Sequence, residues 1–290
     1  PKAISPKFFY DEAGSHLFDA ICKTNEYYPT RTESLIIRDN VEDIARHLGR
    51  GCLLVEPGSG NSAKVRELLD AVKPHSYLPM DISKAFLRKE AEKLSAEFPW
   101  LNIHAVCSDF TVSVDIPLYP AGVRRVAFFP GSSIGNFSPK DASDFLANVQ
   151  AMVGTGGGLL IGVDLKKDPA LLNRAYNDSE GITARFNKNL LVRMNKELDT
   201  NFDLEQFKHH AFYNEAASRI EMHLVSQTKQ TLHAGTETIH FEAAESIHTE
   251  CSYKYTVEEF QAVAAKAGFE PEAVWTDDKN WFSLQYFRAL

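Results

Sequence analysis

The sequence predicts an α/β protein, a doubly wound and mostly parallel sheet that carries an inserted second α+β domain. Three observations predict it. Residues 53–55 read as a short buried strand, and Val65, Leu68, Leu69 and Val72 recur at helical spacing, so Gly58 and Gly60 sit in a strand-to-helix turn. Apolar strands then alternate with helices through SYLPMDIS, SKAFLRKEAEKLSAEF, NIHAVCSDF, RRVAFFPGSSIGNFSP, DFLANVQAMV and GLLIGVDL. That rhythm places Glu56, Asp81, Asp109 and Asn136 at the carboxyl ends of strands, where open α/β sheets bind their ligands. After Asp164 the pattern changes: a largely helical stretch is followed by IEMHLVSQTKQTL and TIHFEAAESIHTECSYKYT, which read as antiparallel strands. The tail returns to a helix, EEFQAVAAKAGF, and a closing hairpin through AVWTDD and WFSLQYFRAL.

The chain thus leaves its nucleotide-type domain and comes back. The expected division is a ligand-binding domain over residues 31–166 plus 257–290 and a substrate domain over 1–30 plus 167–256, with a small substrate in a cleft. Upstream, Leu35, Ile36, Val41, Ile44 and Leu48 predict one helical stretch over 33–48, ended by Gly49 and Gly51.

Composition narrows the function. Of 290 residues 44% are apolar, enough for one large α/β domain with an elaboration or for two domains. The net charge of −8 and the lack of a basic run argue against nucleic acid or an anionic membrane as partner. The four cysteines, Cys22, Cys52, Cys107 and Cys251, form no C-x-x-C pair and read as buried free thiols. No apolar run has membrane length and residues 1–30 lack the build of a signal peptide, so a cytoplasmic protein is expected. His209 and His210 read as surface residues, and no metal is expected.

The glycine turn admits three readings. A P-loop fails, because no Lys-Ser or Lys-Thr stands at the required spacing. Gly58, Gly60 and Ala63 meet the dinucleotide fingerprint, which keeps a nicotinamide or flavin enzyme open. The third is the acid-x-Gly-x-Gly turn of S-adenosylmethionine (SAM) enzymes, beginning at Glu56. SAM carries an ammonium and a sulfonium and no pyrophosphate, so an acid at the turn suits it. Asp81 ends the next strand, where a carboxylate accepts from ribose hydroxyls in either class. Asp109 and Phe110 could take an adenine amino group and pack on the base; Asp109 reads equally as a turn or helix cap before Thr111. Lys64, taken alone, is a solvated helix residue.

The joint set FFYDEAGSHLFDAI, NEYYPTRTES, VEPGSG, FFPGSSIGNFSP, GVDLKKDPALLNRAYND, GITARFNKNLL, SRIEMHLVS and IHTECSYKYT resembles the histidine-specific Nα-methyltransferase family, in order and along the whole chain. The resemblance implies a Rossmann-like class I SAM-dependent methyltransferase with an inserted substrate domain, trimethylating L-histidine to hercynine, the first step of ergothioneine biosynthesis. It places the cofactor at Tyr10, Glu56, Gly58, Lys64, Asp81, Asp109 and Phe110. It assigns the substrate to Tyr27, Asn136, Tyr176, Met222, Glu250 and Ser252: Asn136 and Tyr176 for the α-carboxylate, Glu250, Ser252 and Tyr27 for the imidazole. Tyr10 and Tyr27 stand nearest the chemistry. Pro57 departs from the family, where leucine is common, and removes only a backbone N–H.

Residue chemistry agrees. In-line methyl transfer needs a neutral amine aimed at the sulfonium methyl, so positioning and desolvation outweigh acid-base work. A carboxylate at Glu250 suits an imidazole N–H; alone, Glu250 would read as a surface strand residue and Met222 as core. The alternatives are a paralogue methylating another amino acid or a tryptophan-derived amine, an NAD-dependent oxidoreductase, and a non-catalytic SAM-binding regulator. The expected partner is L-histidine alone, acting on a monomer.

Overall fold

The computed structural model describes residues 2–110 and 122–290, and the chain clusters into two compact units. The smaller comprises Pro1–Tyr28 and Lys167–Tyr253, the larger Pro29–Lys166 and Lys254–Leu290.

The chain begins in the smaller unit with a two-residue strand, β1 (Lys2–Ala3), and helix α1 (Glu12–Ile21), whose cap Asp11 accepts from Gly14 N. It enters the larger unit through α2 (Pro29–Asp39) and α3 (Val41–Leu48). These are two helices where the periodicity suggested one. Asn40 interrupts them, its side-chain amide donating to the Ile36 carbonyl at 2.9 Å and so closing α2 before α3 starts. There follow β2 (Leu53–Pro57), α4 (Ala63–Val72), β3 (Ser76–Asp81), α5 (Lys84–Glu97), the short β4 (Asn102–Ile103) and β5 (Val106–Cys107), β6 (Arg125–Phe129), α6 (Pro139–Val153) and β7 (Gly158–Asp164). The chain then builds the rest of the smaller unit: α7 (Pro169–Ala175), α8 (Ile182–Glu197), β8 (Phe207–Asn214), β9 (Arg219–Ser226), β10 (Gln230–Ala234), β11 (Glu237–Phe241) and β12 (Ser246–Tyr253). It closes in the larger unit with α9 (Val257–Lys266), β13 (Phe269–Thr276) and β14 (Phe282–Ala289).

The sheet of the larger unit runs β13-β14-β7-β6-β2-β3-β4, with β5 also on β3. From β7 to β4 the pairing is parallel, and the final hairpin adds β14 antiparallel to β7. All five residues of β2 and all seven of β7 are buried, as expected of central parallel strands covered on both faces. Val65, Leu68, Leu69 and Val72 of α4 join one core with Ile37, Leu54, Val126, Leu160 and Tyr286. A capping box, Thr256 with Glu259, starts α9. Just before it Lys254 and Asp164, both almost wholly buried, form an ion pair of 2.7 Å.

In the smaller unit the sheet order is β1-β12-β9-β8, with β10 and β11 as a separate hairpin. Leu191 of α8 packs with Phe207, Leu224, Phe241 and Ile247 on one face of that sheet. No helix among the described residues is long and apolar enough to cross a membrane.

Candidate functional site: a cofactor turn and a cluster of substrate readers

In the larger unit β2 delivers the chain into the glycine turn. Gly58 has φ +67°, and a Cβ built there would lie 2.9 Å from the Phe110 ring, so both backbone sign and space call for glycine. Ser59 N donates to the Met80 carbonyl at 3.0 Å, tying the turn to β3. At the end of β3, Asp81 accepts from Gly60 N at 3.3 Å and Ser83 N at 2.9 Å, and burial raises its carboxyl above the usual range. The Ser59 hydroxyl is buried and has no hydrogen-bond partner among the described residues. Phe110 stands edge-on to Phe129 and Phe145, and Phe110 and Phe145 line a small cavity with Pro57, Met80 and Met152.

Two expected cofactor residues are engaged within the protein. Glu56 is buried and accepts from the Tyr77 hydroxyl; burial pushes its carboxyl up to about 8 although Tyr77 and Lys64 oppose the rise. Lys64 pairs with the fully buried Glu33, whose two oxygens each accept from Gly131 N at 3.0 Å. Sequence reasoning missed Glu33 and Tyr77; the acid in EYYPTRTE was the one available signal for Glu33. Asn136 closes the one-turn segment Ser133–Asn136, entered through Gly131 and Ser132, both at positive φ. The buried Ser132 hydroxyl accepts from Asp164 N at 2.8 Å and pins that turn to β7. Asp109 lies among the described residues, whereas Thr111, the alternative partner for it as a cap, lies outside them.

A hydroxyl without a partner among the described residues, an acid held among them only by backbone amides, and a glycine without room for a Cβ fit an adenosyl cofactor. Gly58 and Gly60 offer backbone, Ser59 and Asp81 offer hydrogen-bonding groups to ribose, and no lysine-bearing phosphate loop is present among the described residues.

In the smaller unit, strand pairing gathers residues distant in sequence. Met222 and Glu250 face one another across β9 and β12, beside a bulge at Thr249 whose hydroxyl donates to the Met222 carbonyl at 3.0 Å. Tyr176 caps the end of α7, and its hydroxyl donates to Ser252 Oγ at 2.9 Å. Its ring lies edge-on to Tyr27 at 6.2 Å; Tyr27 meets Phe18, which also meets Tyr10. All of these except Tyr10 and Phe18 are buried. Burial first, and then Tyr176, Cys22, Tyr10 and Glu250, raise the Tyr27 phenol well above its ordinary value, so it is a neutral donor near pH 7.

His209 corrects the surface reading of the His209-His210 pair. Strand alternation turns His209 inward while His210 remains exposed. Asn187 Nδ2 donates to His209 Nδ1 at 2.9 Å, leaving Nε2 to donate to the Tyr176 carbonyl at 3.0 Å. Burial lowers the His209 pKa, consistent with this neutral form.

Residues 1–289 match the family described as histidine-specific methyltransferase, SAM-dependent. A histidine N-alpha-methyltransferase of Mycobacterium tuberculosis is 40% identical over 290 residues, covering 98% of this chain and 89% of that one. The ergothioneine biosynthesis protein 1 of Neurospora crassa is 30% identical, covering 95% of this chain and 32% of that much longer one. The Burkholderia thailandensis 1,6-didemethyltoxoflavin-N1-methyltransferase, solved with S-adenosylhomocysteine, superposes with a TM-score of 0.52 at 13% identity, covering 100% of this chain and 92% of that one. That likeness shows the Rossmann-like methyltransferase fold. The chain belongs to the SAM-dependent histidine-specific methyltransferase family.

Proposed function

We propose that this chain transfers three methyl groups in succession from SAM to the α-amine of L-histidine, yielding hercynine and opening a route to ergothioneine. The observation that carries the reading is the buried Glu250 carboxylate set opposite Met222, a polar reader beside an apolar wall. It is supported by 40% identity with a histidine N-alpha-methyltransferase. Bound SAM supplies an electrophilic methyl on a sulfonium.

The rest is the work of side chains. Asp81 takes the ribose, Gly58 and Phe110 shape the adenine side, and Tyr10, Lys64 and Asp109 complete the cofactor contacts. Asn136 and Tyr176 hold the substrate α-carboxylate; Tyr27, Glu250 and Ser252 read the imidazole. Tyr176, bonded to Ser252, ties the carboxylate anchor to the imidazole reader. His209, through the Tyr176 carbonyl, keeps that anchor in place. Tyr27, held neutral, orients the substrate as a donor and does not take its proton, so the amine must enter deprotonated. A cytoplasmic setting is part of the reading, supported by four cysteines far apart in sequence with no C-x-x-C pair.

The test is mass spectrometry of the purified protein with SAM and the twenty amino acids. Histidine alone should gain one, two and three methyl groups, and a gain on any other amino acid overturns the substrate. Activity should rise from neutral toward alkaline pH; a flat profile would give the proton to a protein group.

A further inference from the structure

The face of the smaller sheet that turns away from Met222 and Glu250 carries a second constellation. Strand alternation puts Glu221 and His223 on that face of β9, and the register sets His248 opposite His223 and Cys251 opposite Glu221. One ligand atom from each of Glu221, His223 and His248 lies within 4.8 Å of the other two. Glu221 Oε2 and His223 Nε2 are 3.2 Å apart, close to the spacing of two ligands around a tetrahedral ion at roughly 2.0–2.2 Å.

The groups behind these atoms are arranged as second-layer support. His223 Nδ1 lies 3.2 Å from Ser246 Oγ, an acceptor that would hold the proton on Nδ1 and free the Nε2 lone pair once an ion replaces the Nε2 contact with Glu221. The other Glu221 oxygen accepts from Arg219 Nε at 2.8 Å and Asn214 Nδ2 at 3.0 Å, so the carboxylate is oriented while Oε2 faces the histidines. Phe212 stacks on His223 at 17°, and His223 and His248 have ring centres 4.9 Å apart. Cys251 Sγ, 3.3 Å from His248 Nε2, is a further donor at the rim.

We propose that Glu221, His223 and His248 form a binding site for a borderline divalent transition metal, Zn2+ above all, on the far side of β9 and β12. Two imidazoles and one carboxylate select such an ion over Mg2+ or Ca2+, which take all-oxygen shells. The expectation of no metal came from local spacing, and His248 joins Glu221 and His223 only through strand pairing. The ion would clamp β9 to β12 at the positions between which Met222 and Glu250 stand. That consequence rests on their reading as substrate contacts; the binding itself does not.

The test uses the untagged chain stripped of metal and titrated calorimetrically with ZnCl2 and with MgCl2, with melting temperature followed alongside. The expected result is one Zn2+ per chain, a rise in melting temperature with Zn2+ and none with Mg2+. His223→Gln and His248→Gln should each weaken Zn2+ at least tenfold, and Ser246→Ala, which touches only the support of His223, should weaken it about tenfold. SAM binding by the variants, measured separately, checks that they are folded. Absence of Zn2+ binding to the parent chain, or equal binding by both histidine variants that still bind SAM, overturns the site. If Zn2+ binds as expected while histidine methylation fails, the proposed function falls and the metal site stands.

Discussion

The glycine turn of the larger unit and the reader cluster of the smaller unit treat buried polar groups in opposite ways. At the turn, among the described residues, the Ser59 hydroxyl is buried with no partner and Asp81 accepts only from backbone amides. In the smaller unit, Tyr176 is joined to Ser252, its carbonyl to His209, and Thr249 to the Met222 carbonyl. The first arrangement leaves hydrogen-bonding capacity for a ligand common to a whole enzyme class. The second spends that capacity on holding side chains in a particular shape, which suits the proposed discrimination among amino acids.

The sharpest way to break this contrast is Asp81→Ala. It removes the carboxylate proposed to take the cofactor ribose and should weaken SAM binding by about 2–4 kcal/mol while the fold persists. Calorimetry that found unchanged SAM affinity would put the cofactor elsewhere.

A second variant probes the buried acid of the same turn. Folded Glu56 keeps its proton up to about 8, whereas an ordinary glutamate releases it near the model-peptide value of 4.5. Through that window the folded chain binds more protons than the unfolded one, so stability is greatest on the acid side and falls as pH rises. The contribution amounts to at most about 3 kcal/mol by pH 7. In Glu56→Gln, where the amide oxygen can still accept from Tyr77, this part of the slope should vanish. Parallel stability curves for parent and variant in denaturant would show that Glu56 titrates normally.

On the reader side, Met222→Val with Glu250→Ala should lower efficiency for histidine by about 2 kcal/mol and raise it for a larger aromatic amino acid such as tryptophan. Asn136→Ala should impair both substrates alike. Were the double variant to keep its histidine preference in competition assays, the smaller unit would not be the reader.

The smallest effect is the most discriminating between the two modes of burial. Ser59→Ala deletes a hydroxyl that bonds nothing in the described structure, so the melting temperature without ligand should not fall. SAM affinity should drop by about 1 kcal/mol, the worth of one hydrogen bond. A loss of stability without a change in SAM affinity would make Ser59 structural.

By itself the sequence determined the α/β rhythm, the turn from Glu56 to Gly60, the acid closing β3 and the antiparallel character of the stretch after residue 200, because each follows from local periodicity or from glycine at a strand end. The family was legible too, since its motifs are contiguous. Only the tertiary structure decided which polar side chains are already committed. Glu33 meets Lys64 and Gly131, Lys254 meets Asp164, and His209 supports Tyr176, each across a separation that no local pattern encodes. The same holds for His248, which strand register sets beside Glu221 and His223. The physical reason is common to all of them: burial makes an unpaired polar group costly, so its partner is chosen by proximity in the folded chain and not by position along it.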